Sequence, residues 1–287
     1  MKSQTARTRA AKSQCTKAVI LAAGCGSRVR SITPEKPKCL MDLGGRPIID
    51  WILEGLAVAG IKEVVVVTGF QHQTLRRALG PSWPRDARTC GRSHRGASPD
   101  LPLASEPHSA TARSRSRHRR LAIAYIRNPR WREPNGISLY AARRAIHAGE
   151  TFLLVMSDHL LPPRVISQVA RARASKCILA VDPNLSKVFD LPDATKVRVV
   201  GGLPVAIGKR LRSYDAVDCG LFRLDRRVFA ALRVSFAEGV MSLSGGVKQL
   251  IANGDLEVLP IGKGAFWLDI DTPRAYKQAL KSIGEIR

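Results

Sequence analysis

Between residues 18 and 40 the chain reads AVILAAGCGSRVRSITPEKPKCL. The apolar run 18–21 passes directly into a turn of small residues, Ala22-Ala23-Gly24-Cys25-Gly26-Ser27-Arg28, and Pro37-Lys38-Cys39-Leu40 follows. Residues of these types capture phosphate. Glycine lets the backbone turn through positive φ and lets amide N–H groups approach an anion with no side chain in the way. Arg28 and Lys38 add positive charge for a polyphosphate and for its displacement. A dinucleotide fingerprint would need a third glycine where Val29 stands, and a Walker loop would need Gly-Lys-Ser/Thr closing the turn. Neither is present.

Displacement at a polyphosphate calls for a cation, and Mg²⁺ takes one or two carboxylates along with phosphate oxygens and water. In an open α/β sheet those carboxylates belong at the carboxyl ends of strands, beside the glycine loop. Asp158 stands just past the apolar run 151–156, and Asp269 and Asp271 stand just past the apolar residues 265–268. Each alone reads equally well as a strand-end or helix-capping aspartate. Base recognition falls to Asn135-Gly136-Ile137-Ser138, where Gly136 permits close approach and Asn135 can pair with a pyrimidine edge. The same residues also suit a plain turn followed by a serine helix cap. A Ser/His/Asp or Cys/His nucleophile arrangement is not found.

The first motif resembles the signature of nucleotidyltransferases that make nucleoside-diphosphate sugars and alcohols, L-A-A-G-x-G-[ST]-R with a downstream P-K-x-L. Leu21, Ala22, Ala23, Gly24, Gly26, Ser27, Arg28, Pro37, Lys38 and Leu40 fill every fixed position. Downstream, N-x(6)-N-G-x-S-L, the Ser157-Asp158-His159 strand end, Asp193-Ala194-Thr195-Lys196-Val197 and Val217-Asp218-Cys219-Gly220 are similar to cytidylyltransferases acting on inositol-1-phosphate. The resemblance covers roughly 17–80 and 121–280. It implies CTP and inositol-1-phosphate as substrates, CDP-inositol and pyrophosphate as products, and Mg²⁺ as cofactor. It also implies a metal carboxylate in a late W-x-[DE]-x-D-T segment, with Asp271 first and Asp269 second. Carried over, Lys196 grips the acceptor phosphate, and Asp218 with Gly220 lines the polyol pocket. Members are often fused to a membrane-embedded alcohol phosphotransferase. No apolar segment of that kind occurs here, so a separate membrane enzyme is expected to use the product.

Two other readings keep or change the chemistry. A sugar-1-phosphate or phosphocholine could be the acceptor, with CTP or another NTP. A non-catalytic regulatory or binding protein could share the fold, though it would have no physical need for Lys38, Asp158 and Asp271 together. A glycosyltransferase would want a D-x-D motif where Ser157-Asp158-His159 stands.

The elements that must position these groups follow from periodicity. A strand at 18–21, a helix at 48–59 stopped by Gly60, a strand at 64–68 and a helix at 71–79 give βαβα order, hence a parallel sheet with right-handed crossovers. A strand at 121–125, a helix at 138–147 and strands at 151–156 and 177–181 continue it. Residues 195–207, with Gly201-Gly202 between β-branched runs, read as a hairpin within a small β excursion near 195–222. A helix near 244–253, a strand at 256–260 and a last helix after Pro273 complete one doubly wound, mostly parallel α/β domain over 17–287.

Nearly half of the excess charge is placed outside that pattern. The net charge is +24, of which residues 1–17 hold +5 and residues 81–120, with nine Arg against Asp86, Asp100 and Glu106, hold +6. Residues 1–16 read as a disordered basic tail. Residues 81–120, dense in Pro, Ser, Gly and Arg, read as a disordered insertion that cannot bury enough surface to offset its ordering entropy. Aromatic residues make up 5% with no basic–aromatic ribbon, which disfavours nucleic acid as the main partner. The apolar runs are strand-length, so no membrane span is expected. Six scattered cysteines with no C-x-x-C pair point to a reducing, cytoplasmic setting and away from zinc or disulfides.

Overall fold

Strands with continuous apolar interiors form where a sheet is covered on both faces, and such strands build the centre of this molecule. The structure, a computed structural model, describes residues 15–29, 36–85, 120–262 and 264–285. The first half runs β1 (Lys17–Ala22), α1 (Ile48–Ala59), β2 (Glu63–Thr68), α2 (His72–Leu79), β3 (Ser82–Trp83), β4 (Leu121–Arg127), α3 (Asn135–Ala141) and β5 (Thr151–Met156). Next come β6 (His159–Leu160), α4 (Pro163–Arg171), β7 (Cys177–Asp182), β8 (Lys196–Val200) and β9 (Leu203–Gly208). Then follow β10 (Ala216–Asp225), α5 (Arg227–Ala237), α6 (Leu243–Ala252), β11 (Leu256–Pro260), β12 (Leu268–Asp269) and α7 (Pro273–Lys281).

The main sheet has the order β11-β7-β10-β5-β1-β2-β4-β3, with the β8–β9 hairpin joined to β10. β5, β1, β2 and β4 are mutually parallel, as are β7 and β11. Alternate residues of each strand enter opposite cores. Ala18, Ile20 and Ala22 pack with α1 and α4, while Val19 and Leu21 pack with the apolar residues of α3, α5 and α6. Strand order reverses at β1, so the carboxyl ends of β1 and β5 flank a crevice at that switch point, where ligands of open α/β sheets bind.

The doubly wound architecture is as expected, with local corrections at β10 and α3. β10 is no edge of a small excursion: it runs antiparallel between β5 and β7, and only Ala216 and Val217 pair with β8. Gly220, at φ +71, marks a register shift between Asp218 and Phe222 that bends this ten-residue strand from the hairpin into the core. α3 begins at Asn135, behind Pro134, so Ser138 lies inside the helix and is not its cap. A 3-10 turn, Ala142–Ala145, follows it.

Order also extends past both expected breaks. Cys15 is buried in the core, so the described chain starts before residue 17, and residues 1–14 lie outside the described residues. Residues 81–85 carry β3, which pairs Ser82 with Ala122 and Trp83 with Leu121. Arg85 then donates to the buried Asp50 carboxylate in the first turn of α1. The rest of the expected insertion, 86–119, lies outside the described residues. No helix among the described residues is long and apolar enough to cross a membrane.

Candidate active site

The glycine loop leaves β1 at its carboxyl end. Gly26 has φ +61, and a Cβ there would stand 2.9 Å from the Cβ of Lys38, so glycine is what lets the Lys38 stem pass behind the loop. A Cβ at Gly24 would meet nothing within 4 Å. That position faces open space, as a backbone cradle for an anion requires. A groove of about 670 Å³ opens here, lined by Leu21, Ala23, Gly24, Gly26, Ser27, Arg28, Lys38, Asn135, Ser138, Asp158 and Asp271 among others.

Asp158 follows β5 and is fixed by both of its oxygens. Lys38 Nζ donates to Oδ2 at 2.8 Å, and His159 Nδ1 lies 2.9 Å from Oδ1. Asp269 reaches the same place from far along the chain because β12 pairs with β6, setting Asp269 opposite His159 and Leu268 opposite Leu160. The Ile270 N–H donates to the Asp158 carbonyl at 2.9 Å and locks the two segments together. Trp267 stacks on His159, with centroids 6.1 Å apart, and donates its indole N–H to Asp182 at the end of β7.

The electrostatics follow from this packing. Burial pushes the Asp158 carboxyl up, but the Lys38 charge and the contacts with His159 outweigh it and hold the group well below the usual carboxylate range. Burial pulls His159 down, yet Asp269, Asp158 and Asp218 raise it to about 9. Asp269 is raised to about 6, mainly by burial, with Asp158 and Asp271 adding to the rise and His159 and Lys38 opposing it. Asp269 Oδ1 is buried with no hydrogen-bond partner among the described residues. Its nearest cations are Lys38 at 3.9 Å and His159 at 3.8 Å. Ligand atoms of Asp158, His159 and Asp269 lie within 4.8 Å of one another. An orphaned carboxylate oxygen beside a second carboxylate fits a hard divalent cation. Asp271, expected ahead of Asp269, is buried and paired with Arg28 at 2.5 Å.

A second cavity, of about 250 Å³, adjoins the groove and shares Asn135, Met156, Asp158 and Asp271 with it. Asp218, Gly220, Asp269, Asp190, Asp193, Thr195, Lys209, His159 and Trp267 also line it. Asp218 is pushed up to about 6 by burial, against the Gly220 amide that it accepts at 2.7 Å. Gly220 is obligatory by space as well as by φ, since a Cβ there would stand 2.4 Å from the His159 ring. Asp193 bridges two cations, Arg28 at 2.8 Å and Lys209 at 2.7 Å, across the join between groove and cavity.

Three expected residues are not brought to this surface. Lys196 is buried and donates to the Pro192 carbonyl at 2.6 Å, because its place at the start of β8, opposite Val217, turns it inward. Lys209 is the lysine that lines the cavity instead. Ala22 packs in the core. Gly136 serves helix packing: a Cβ there would stand 2.5 Å from the Met241 carbonyl, and Asn135 Oδ1 accepts from Leu243 N at the start of α6. Residues that sequence reasoning left without a role are His159, Trp267, Asp193 and Lys209 on the acceptor side, and Trp131 and Arg132 in the groove. His159, Asp193 and Trp267 sat inside quoted motifs. The other three had no sequence signal beyond their residue type.

Comparison with known proteins gives a family and several relatives. The MobA-like NTP transferase domain matches residues 18–216. A "Bifunctional IPC transferase and DIPP synthase" of Rubrobacter xylanophilus is 29% identical over 258 residues, covering 90% of this chain and 49% of that protein. A protein of the same description from Aquifex aeolicus is 27% identical over 264 residues, 92% of this chain and 51% of the other. The chain thus spans about half the length of these curated relatives. Among solved structures, the inositol-1-phosphate CTP transferase from T. maritima superposes with a TM-score of 0.71 at 22% identity, covering 96% of this chain and 98% of that one.

Proposed function

The chain belongs to the MobA-like NTP transferase domain family, and from that premise we propose that it transfers a cytidylyl group from CTP to inositol-1-phosphate, giving CDP-inositol and pyrophosphate. The observation that carries this reading is the joined pair of cavities. One is lined by the glycine loop with Arg28 and Lys38, the other by carboxylates, and the two meet at Asp158 and Asp271. A phosphate oxygen of the acceptor, entering from the carboxylate side, attacks the α-phosphorus lying in the groove. The new oxygen–phosphorus bond forms as the bond to the β-phosphate oxygen breaks, and pyrophosphate leaves with that electron pair. No covalent enzyme intermediate is needed.

In this reading the triphosphate rests on the backbone of Ala23, Gly24, Gly26 and Ser27. Lys38, fixed against Asp158, faces the charge that builds on the phosphoryl oxygens, so its work is preorganised rather than recruited. Arg28 exchanges its carboxylate partners, Asp193 and Asp271, for phosphate. Lys209 meets the acceptor phosphate. A polyol is a donor of many hydroxyl hydrogen bonds, which suits the carboxylates Asp218, Asp190 and Asp193. Asp158 with Asp269 would hold Mg²⁺, with Asp271 beside them. The ion would neutralise phosphate charge and orient the α-phosphate.

The names of the Rubrobacter, Aquifex and T. maritima proteins support this choice of substrates. Mass spectrometry of a reaction holding CTP, Mg²⁺ and inositol-1-phosphate should find CDP-inositol and pyrophosphate in equal amounts, and neither after chelation of the metal. Product formed at full rate under chelation would overturn the metal assignment. No product with the metal present would overturn the reaction.

A further inference from the structure

A second large groove, of about 1410 Å³, runs between α2 and β4 at the edge of the main sheet. None of the residues lining it lines either cavity of the active site. β3 covers only the start of β4, pairing Trp83 with Leu121 and Ser82 with Ala122. The ladder stops at Pro81. Its carbonyl accepts from Ile123 N at 2.9 Å, but proline has no N–H to return. Past that point β4 is the outermost strand among the described residues.

The partners of β4 fix which of its backbone groups face outward. Ala122 N donates to Lys62 O and Asn128 N to Thr68 O, so even-numbered residues turn toward β2. Ile123 turns the other way, and Tyr125 and Arg127 turn with it. The N–H and C=O groups of Tyr125 and Arg127 find no hydrogen-bond partner among the described residues. The same alternation places their side chains on the α2 face of the sheet. Ile123 packs in one core with Leu75 and Leu79 of α2, and the Tyr125 hydroxyl donates to the carbonyl of Gly80, where α2 ends. Arg127 thus shares the groove with Arg76 and Arg77 of α2. No carboxylate among the described residues pairs with any of the three, and no Asp or Glu lines the groove. On the opposite face β4 presents the exposed Ala124.

We propose that this edge docks an extended acidic segment of a partner protein, which adds to the sheet as a strand beside β4. Main-chain hydrogen bonds to Tyr125 and Arg127 give the pairing, and alternate side chains give the selectivity. Carboxylates on the α2 face meet Arg76, Arg77 and Arg127, while small or β-branched side chains on the other face lie over Ala124. Charge decides the occupant. A second copy of a chain with net charge +24 would set like charges against this groove. Residues 86–119, with seven Arg against Asp86, Asp100 and Glu106, suit it no better. An acidic partner is both steered toward the protein and matched to the three arginines.

Binding of the fluorescein-labelled peptide EVEVEVE to the full chain, read by fluorescence anisotropy, tests the docking. A counterpart with N-methylated glutamates keeps the charge but cannot donate to the strand edge, and it should bind about tenfold or more weakly. Arg76→Glu combined with Arg127→Glu should weaken the unmodified peptide by about tenfold or more. The peptide should also slow hydrogen exchange at the Tyr125 and Arg127 amides, and tripolyphosphate should not. Equal affinity for the two peptides, or an affinity indifferent to the two substitutions, would reduce the binding to adsorption on a basic protein. Absence of binding would leave the arginines as a guard against edge pairing. Exchange slowed by tripolyphosphate would make the groove a small-anion site. Each of these results overturns the docking, and the comparison of the two peptides on the unaltered chain decides it even if the double variant does not fold.

Discussion

Lys38 and Asp158 are 2.8 Å apart in a groove lined by the phosphate loop, with His159 on the other oxygen of Asp158 and Asp269 3.9 Å from Lys38. Lys38→Ala and Asp158→Ala should each lower turnover by about 10²-fold or more, with an unchanged circular dichroism spectrum, because one preorganised contact to developing charge is worth roughly 3 kcal/mol. Near-normal turnover in either variant would remove that residue from the site. Asp218 sets a pH dependence of known sign. Its carboxyl sits near 6, raised chiefly by burial, so acidification through 6 protonates it and leaves fewer acceptor lone pairs for substrate hydroxyls. The acceptor KM should therefore rise on the acid side. Asp269 titrates in the same window, so the comparison with Asp218→Asn decides the assignment: that variant should show a high KM that is less sensitive to pH. An acid limb identical in both proteins would take Asp218 out of acceptor binding. At this scale Arg28, Lys38 and Asp158, picked out in the sequence by residue type, are brought together in one groove. Lys196 was expected in the acceptor pocket, yet Lys209 lines the cavity, because which lysine faces it depends on strand pairing and not on composition.

The elements explain why some of the fold could be read and some could not. β1, β2 and β5 are apolar on both faces, and α1 ends at Gly60 in the left-handed conformation, so each carries its own signal. The start of β10 was read into a small β excursion near 195–222, and only its pairing with β5 and β7 makes it a central strand. The two-residue ladder of β6 and β12 is shorter than any periodicity can register, yet it is what delivers Asp269 to Asp158. β3 marks a similar limit, since its place was read as the start of an unstructured insertion. Because Trp83 lies opposite Leu121, the two ends of that stretch are neighbours in the sheet. Replacing residues 86–119 with a short Gly/Ser linker, while keeping 81–85 and Arg120, should preserve activity and weaken adsorption to heparin. A further cut through Trp83 and Arg85 should lower the melting temperature, because it removes the β3 ladder and leaves the buried Asp50 without its arginine. Loss of folding on the first replacement would show that the segment is an integral element.

Across the whole molecule, charge is segregated. The net charge is +24, yet the acceptor cavity is lined by Asp158, Asp190, Asp193, Asp218, Asp269 and Asp271. In the proposed reaction the net positive charge would draw anionic substrates toward the protein, and the carboxylate-lined cavity would select among them for hydroxyls and for a phosphate beside Lys209. The proposed pair of substrates, CTP and inositol-1-phosphate, is the central claim. The most direct test is a matrix of kcat/KM values from pyrophosphate release, with CTP, UTP, GTP and ATP against inositol-1-phosphate, glucose-1-phosphate and phosphocholine. A site that pairs with a substrate's polar groups penalises an analogue that leaves them unpaired, by up to about 10⁴-fold. CTP with inositol-1-phosphate should therefore exceed every other combination by orders of magnitude. A higher value for glucose-1-phosphate or phosphocholine, or for any nucleotide other than CTP, would contradict it.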